Sequence, residues 1–165
     1  MDRRTSRRNR WWGAVVVVAM LTLTLTLTTA CKQRPVYSHY ESVSVDDWQR
    51  DDTLHFMVVR GVEDGCYREM LGLRANLSYP FTSLSLIVRQ CVRPSGASRC
   101  DTLLVPLINM DGKALGRGVS HFQYDIPLDD IVLCAGDTLN VDIRHDMKRE
   151  SLSGITDVGL TIEKI

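Results

Sequence analysis

Apolar residues spaced two apart, in run after run along the chain, decide what this sequence can fold into. They are Val43 and Val45; Leu54, Phe56 and Val58; Leu71, Leu73, Ala75 and Leu77; Leu84, Leu86 and Val88; Leu103, Val105 and Leu107; Phe122, Tyr124 and Ile126; Leu139, Val141 and Ile143; and Val158, Leu160 and Ile162. A period of two places the apolar set on one face of a strand and polar residues on the other. Turn-forming residues separate the runs at Asp64-Gly65, Pro94-Ser95-Gly96, Asp111-Gly112, Gly116 to Gly118, Gly136-Asp137 and Ser153-Gly154. No long window carries a helical apolar stripe. About eight one-sided strands can bury their faces only against each other, which predicts an all-β domain. The expected architecture is a two-sheet antiparallel β-sandwich, jelly-roll-like, whose strand order the sequence does not reveal.

Residues 1–30 do not follow this pattern. A head with five arginines and Asp2 precedes an uncharged stretch from Trp11 to Ala30, the order of an export signal. The stretch is also long enough to cross a bilayer as an uncleaved anchor. Thr28-Thr29-Ala30-Cys31 favours the first reading, because small residues followed by cysteine resemble a bacterial lipobox. There Cys31 becomes the acylated N-terminus, with a palmitate among its chains. Two or three acyl chains, at about 0.8 kcal/mol per buried methylene, hold a domain on a membrane where one chain does not. The expected organisation is a signal peptide over 1–30, a lipidated N-terminus and linker over 31–40 containing Pro35, and the sandwich over 41–165. Without residues 1–30 the chain carries 15 Lys and Arg against 19 Asp and Glu, net −4, which argues against a nucleic-acid partner.

A hairpin around Pro94-Ser95-Gly96 has a readable register. With Leu84 opposite Leu107, Leu86 opposite Val105 and Val88 opposite Leu103, one face is wholly aliphatic, and Cys91 falls opposite Cys100 on the other. Ile87 and Leu104 also pair on that outer face, where the N-terminal segment is expected to cover them. In an exported chain the four cysteines after Cys31 allow three disulfide connectivities. The register favours Cys91 with Cys100, leaving Cys66 with Cys134; unpaired buried thiols are the other reading.

Catalytic patterns are missing. The four histidines are isolated, and no nucleophile elbow or phosphate loop occurs. His121 and His145 read as exposed on polar strand faces. Asp46-Asp47, Asp51-Asp52 and Asp129-Asp130 read as solvated loops, with calcium binding the alternative. No enzyme, metal, cofactor or small-molecule substrate is expected.

Trp48 with Asp51-Asp52-Thr53-Leu54, Leu73-Arg74, Tyr79-Pro80-Phe81-Thr82-Ser83-Leu84, Asp101-Thr102-Leu103, Asp111-Gly112-Lys113 with Leu115-Gly116-Arg117-Gly118, and Gly154 through Leu160 together resemble the GldH gliding-motility lipoproteins of Bacteroidetes. The resemblance runs from Cys31 to Ile165. It implies a non-enzymatic outer-membrane lipoprotein, accessory to the gliding machinery linked to type IX secretion, with other envelope proteins as partners. The four later cysteines are not part of the family pattern. Lys32, Gln33 and Arg34 lack the acidic run associated with surface export, so a periplasm-facing position is expected. Among the family motifs, Tyr79, Pro80, Phe81 and Arg117 are the candidate partner-binding residues; a strand crossover and a simple turn are the structural readings of the same positions. Thr53, Thr102 and Thr138, each in an Asp-Thr-Leu triplet, resemble O-glycosylation acceptors of that phylum, and each equally suits a strand start. The competing function is a carbohydrate-binding sandwich, for which Trp48, Tyr67, Tyr79 and Phe81 would have to lie exposed.

Overall fold

The structure is a computed structural model that describes residues 34–58 and 62–165, so Cys31 and the leader lie outside the described residues. The described chain is all β. Its strands are β1 (Tyr37–Ser42), β2 (Trp48–Gln49), β3 (Leu54–Val58), β4 (Gly65–Asn76), β5 (Ser83–Arg93), β6 (Ser98–Pro106), β7 (Arg117–Gly118), β8 (His121–Pro127), β9 (Ile131–Leu133), β10 (Thr138–His145), β11 (Ser151–Leu152) and β12 (Ile155–Lys164). One sheet has the order β1-β12-β4-β8-β7, with β9 beside the start of β4; the other has the order β3-β10-β5-β6; β2 and β11 form a small separate ladder. All pairings are antiparallel. The alternation seen in the sequence is the reason for this architecture. Leu71, Leu73, Val158, Leu160 and Ile162 of the first sheet and Phe56, Leu84, Leu86, Val141 and Ile143 of the second are buried in one core.

The first strand lies where a linker is expected. Tyr37–Ser42 pairs with β12 along its whole length, Tyr37 opposite Ile162 and Ser42 opposite Asp157. Its inward set is Tyr37, His39 and Glu41, so an edge strand with a polar inner face shows no apolar period. Val43 and Val45 follow it outside any strand.

The hairpin of β5 and β6 keeps the expected faces but slides by two residues. Leu84 pairs with Val105, Leu86 with Leu103, Cys91 with Ser98, and Arg89 with Cys100. The expected register would have put Pro94 into the ladder opposite Ala97, and proline has no N–H to offer. Instead the ladder closes at Val92 and Ala97, 2.9 Å, with Pro94 in the loop. Cys91 and Cys100 therefore stand diagonally, where side chains are roughly 7–8 Å apart and beyond the reach of a disulfide. Cys66 pairs with Val132, two positions short of Cys134. All four cysteines are free thiols, which corrects both expected disulfides. Leu104 lies opposite Ser85, not Ile87, and is 72% exposed. The N-terminal strand, on the other sheet, does not cover it.

Strand directions define two ends. Val36 bonds to Ile162, so the chain enters beside β4's first residues, near the 93–98 hairpin loop. The connections 77–82, 107–120 and 146–154 emerge at the opposite end, beyond Asn76. Nine residue steps of β4, about 30 Å, separate the two.

Candidate functional site

The far end carries a pocket assembled from the sequence motifs singled out above. Asn76 ends β4 and organises the next turn: its side-chain oxygen accepts from the Ser78 N–H at 2.8 Å, and its carbonyl from the Tyr79 N–H. Tyr79 is thereby turned inward, where its hydroxyl donates to the Ser83 carbonyl at 2.9 Å. Burial pushes its phenol well above the usual range. Gly154 makes room for this turn, since a Cβ there would stand 2.3 Å from the Tyr79 nitrogen, and its φ of +86° is one that L side chains rarely adopt. The Tyr79-Pro80 and Gly154 motifs are thus two halves of one contact.

The second wall comes from the 107–120 connection. Asn109 accepts from the N–H groups of Asp111 at 3.0 Å and Lys113 at 2.8 Å, and its own N–H donates to the Lys113 carbonyl at 2.9 Å. Asp111-Gly112-Lys113 is therefore a tight Asx-type loop with Met110 fully exposed at its tip. Tyr124 donates its hydroxyl to the Leu107 carbonyl at 3.1 Å, and Gly116 lies against the Tyr124 ring. Ala75, Tyr79, Leu107, Ile108, Phe122 and Tyr124 enclose a cavity of about 200 Å³. Leu77, Met110, Leu115 and Val119 on the same connections are exposed. A space of this size accepts one branched or aromatic side chain; it is smaller than the usual cofactor or substrate pocket of roughly 300–1,000 Å³.

The four candidate partner residues divide accordingly. Tyr79 forms a wall and Pro80 is exposed beside it. Phe81 is half-buried, its ring edge-on to Tyr79 at 5.6 Å and covered by the Arg149 guanidinium at 5.7 Å. Arg117 is not on a free turn. It lies on β7, ion-paired with Asp125 and exposed. Asp125 is joined through Gln123 to the Tyr40 hydroxyl and to Arg74, so Arg117 ends a polar row across the outer face of the first sheet. The acceptor threonines split too: Thr102 is exposed, whereas Thr53 and Thr138 are half-buried. The aromatics required of a carbohydrate platform are not displayed, because Trp48, Tyr67 and Tyr79 are buried. Among the described residues no group of three His, Cys, Asp or Glu could hold a metal ion.

Three buried polar side chains, His145, Glu69 and Gln90, escaped the sequence reading. His145 shares the odd parity of Leu139, Val141 and Ile143 and is buried, which corrects its expected exposure. Its Nε2 bonds to the Trp48 carbonyl at 3.1 Å, and desolvation holds its pKa below the ordinary value. Glu69 is fully buried between Tyr67 and Leu71 on the inward face of β4, where it accepts from the Gln90 amide across the core. Burial raises its carboxyl to about 7, opposed by the Gln90 bond and Arg99 and reinforced by Asp130 and Asp129. All three had a signal, namely a polar residue on an apolar parity.

A family model described as GldH lipoprotein matches residues 35–162, nearly the whole described domain. The chain belongs to the GldH lipoprotein family. The gliding motility lipoprotein GldH of Flavobacterium johnsoniae is 31% identical over 153 residues, spanning 88% of this chain and 94% of that protein. A GldH homolog from Christiangramia forsetii is 26% identical over 161 residues, spanning 89% and 94%. The match to the GldH family runs through both walls of the pocket.

Proposed function

We propose that this chain is a non-enzymatic outer-membrane lipoprotein, accessory to the gliding-motility machinery linked to type IX secretion, which docks an envelope protein at its far end. The observation that supports the reading is that the pocket lies at the end of the strands opposite Val36. Val36 is the first of the described residues bonded to the sheet, and a backbone stretch as long as Cys31 to Val36 reaches at most about 18 Å. A domain so tethered stays near its leaflet, which we take to be the periplasmic one, and the pocket with its exposed apolar rim is about 30 Å along the strands from Val36. Those apolar side chains then face a partner protein instead of the anchoring lipid. The names of the relatives supply the motility context.

A photo-crosslinker at Met110, introduced in the native envelope, should trap a discrete envelope protein, and Ala114→Trp, a bulky replacement at a residue lining the pocket, should abolish the adduct. Adducts that are unchanged by Ala114→Trp refute the docking site. For the anchor, Cys31→Ala should leave an uncleaved precursor that takes up no palmitate analogue. Label retained on that variant refutes the lipoprotein reading.

A further inference from the structure

The two sides of the sandwich differ. On one, β1 and β3 approach each other, His39 lying edge-on to Phe56 at 6.5 Å. On the other, β6 and β8 leave an open groove of about 500 Å³, lined by Leu104, Val105, Pro106, Arg117, Tyr124 and Asp125 among others. β6 is the edge strand of its sheet on this side. The bonds Val92 N–H to Ala97 and Leu107 N–H to Thr82 fix the phase of the β5–β6 ladder, so the odd residues of β6 bond to β5. The N–H and C=O groups of Ser98, Cys100, Thr102 and Leu104 therefore point out of the sheet edge. Pro106 occupies the next outward position, the place where a missing N–H costs nothing.

This edge is only partly protected. Among the described residues its outward-phased set is Ser98, Cys100, Thr102, Leu104 and Pro106, with no charge among them, so that Pro106 at one end and the inward Arg99 and Asp101 are what blunt it. The inward residues at this end are Arg99 and Asp101, ion-paired at 2.6 Å. They flank Cys100 symmetrically. If two β6 strands pair antiparallel about a two-fold axis at Cys100, Ser98 bonds to Thr102 of the other copy and Arg99 lies opposite its Asp101. Sliding the axis to Asp101 sets two aspartates face to face; moving it to Thr102 puts Arg99 opposite Val105. Of these three registers, only the Cys100-centred one is charge-complementary. It also brings the exposed Leu104 opposite Gly96 of the other copy's hairpin loop.

We propose that β6 is the self-association edge of this protein: two copies pair antiparallel about Cys100 and join their four-stranded sheets into one of eight. The surface is isologous, as a two-fold dimer requires, and β7, Arg117 and the far-end pocket remain outside the paired segment.

Copper–phenanthroline oxidation of cells carrying the full-length protein tests this. The expected product is a disulfide-linked dimer that Cys100→Ser removes and that persists when Cys66, Cys91 and Cys134 are all serine. Thr102→Pro removes an edge N–H that β5 does not use and should reduce the dimer to background, with unchanged protein level as the folding control. Asp101→Arg should lower it roughly tenfold or more by setting arginine against arginine, and Arg99→Asp combined with Asp101→Arg should restore it. No Cys100-dependent dimer, or one unaffected by Thr102→Pro and Asp101→Arg, overturns the proposal.

Discussion

Replacing Glu69 by glutamine should make this domain more stable at mildly alkaline pH and remove the stability loss that the buried carboxyl causes as pH rises. Glu69 sits in the core at 0% exposure, its Oε2 accepting from Gln90 and its Oε1 without a hydrogen-bond partner. The groups facing it are Gln90 and Arg99 from the opposite sheet and Asp129 and Asp130 from the connection after β8. Burial lifts its pKa from 4.5 to about 7. An acid whose folded pKa is raised favours folding while protonated. Its contribution is complete below pH 4.5 and is lost as pH climbs through about 7. At 1.36 kcal/mol per unit, the loss is about 3 kcal/mol. Glutamine keeps an acceptor for Gln90 and cannot ionise. Urea unfolding of unacylated mature protein at about pH 5 and about pH 8 should show the parent losing roughly 3 kcal/mol more across the interval than Glu69→Gln does. His145 titrates with the opposite sign, its depressed pKa favouring folding above 6.5, but it is present in both proteins and cancels in their difference. An equal pH slope in the two proteins would refute the buried-carboxylate account.

Gly159→Ala should cost about 1–3 kcal/mol, because its Cβ would stand 2.5 Å from the Tyr40 ring that lies across Gly159 and Gly72; in a Tyr40→Ala background the cost should vanish, as a double-mutant cycle by urea unfolding would show. His145→Phe should cost about 1–3 kcal/mol at pH 8 by stranding the buried Trp48 carbonyl, and should abolish His145's own contribution, which is lost as pH falls below 6.5 and opposes the Glu69 slope, read from the same titration of unfolding midpoints.

The sandwich was legible because burial on one face writes itself as a period of two, and Leu84, Leu86 and Val88 or Leu139, Val141 and Ile143 could hardly serve another fold. What the period cannot encode is pairing. A slide of two residues keeps every side chain on its face, so the β5–β6 register had to be decided by the backbone, and Pro94 decided it. The alternation therefore held while both expected disulfides failed. Tyr37–Ser42 was invisible for a related reason. It joins the sheet through backbone bonds to β12 and through Tyr40, whose ring fills the space over two glycines and whose hydroxyl accepts from Gln123 at 2.8 Å. None of these features leaves an apolar stripe.

The far-end site was legible in pieces and not as a site. Tyr79-Pro80, Asp111-Gly112-Lys113, Gly116 and Gly154 stand out individually, yet their meeting depends on β4, β8 and β12 all having ends at the same edge of one sheet, a fact of topology. Once together, their roles explain their residue types. Gly154 yields to the Tyr79 backbone and Gly116 to the Tyr124 ring, while Asn109 closes the loop that raises Met110. Each of these is a constraint on shape, and none supplies a nucleophile, a proton donor or a ligand set. The energy invested in this end of the molecule holds two tyrosines and a phenylalanine around an apolar hollow beside exposed Leu77 and Met110. In the docking role proposed for this end, that hollow is the place for a protein side chain, for which area and fit are what matter.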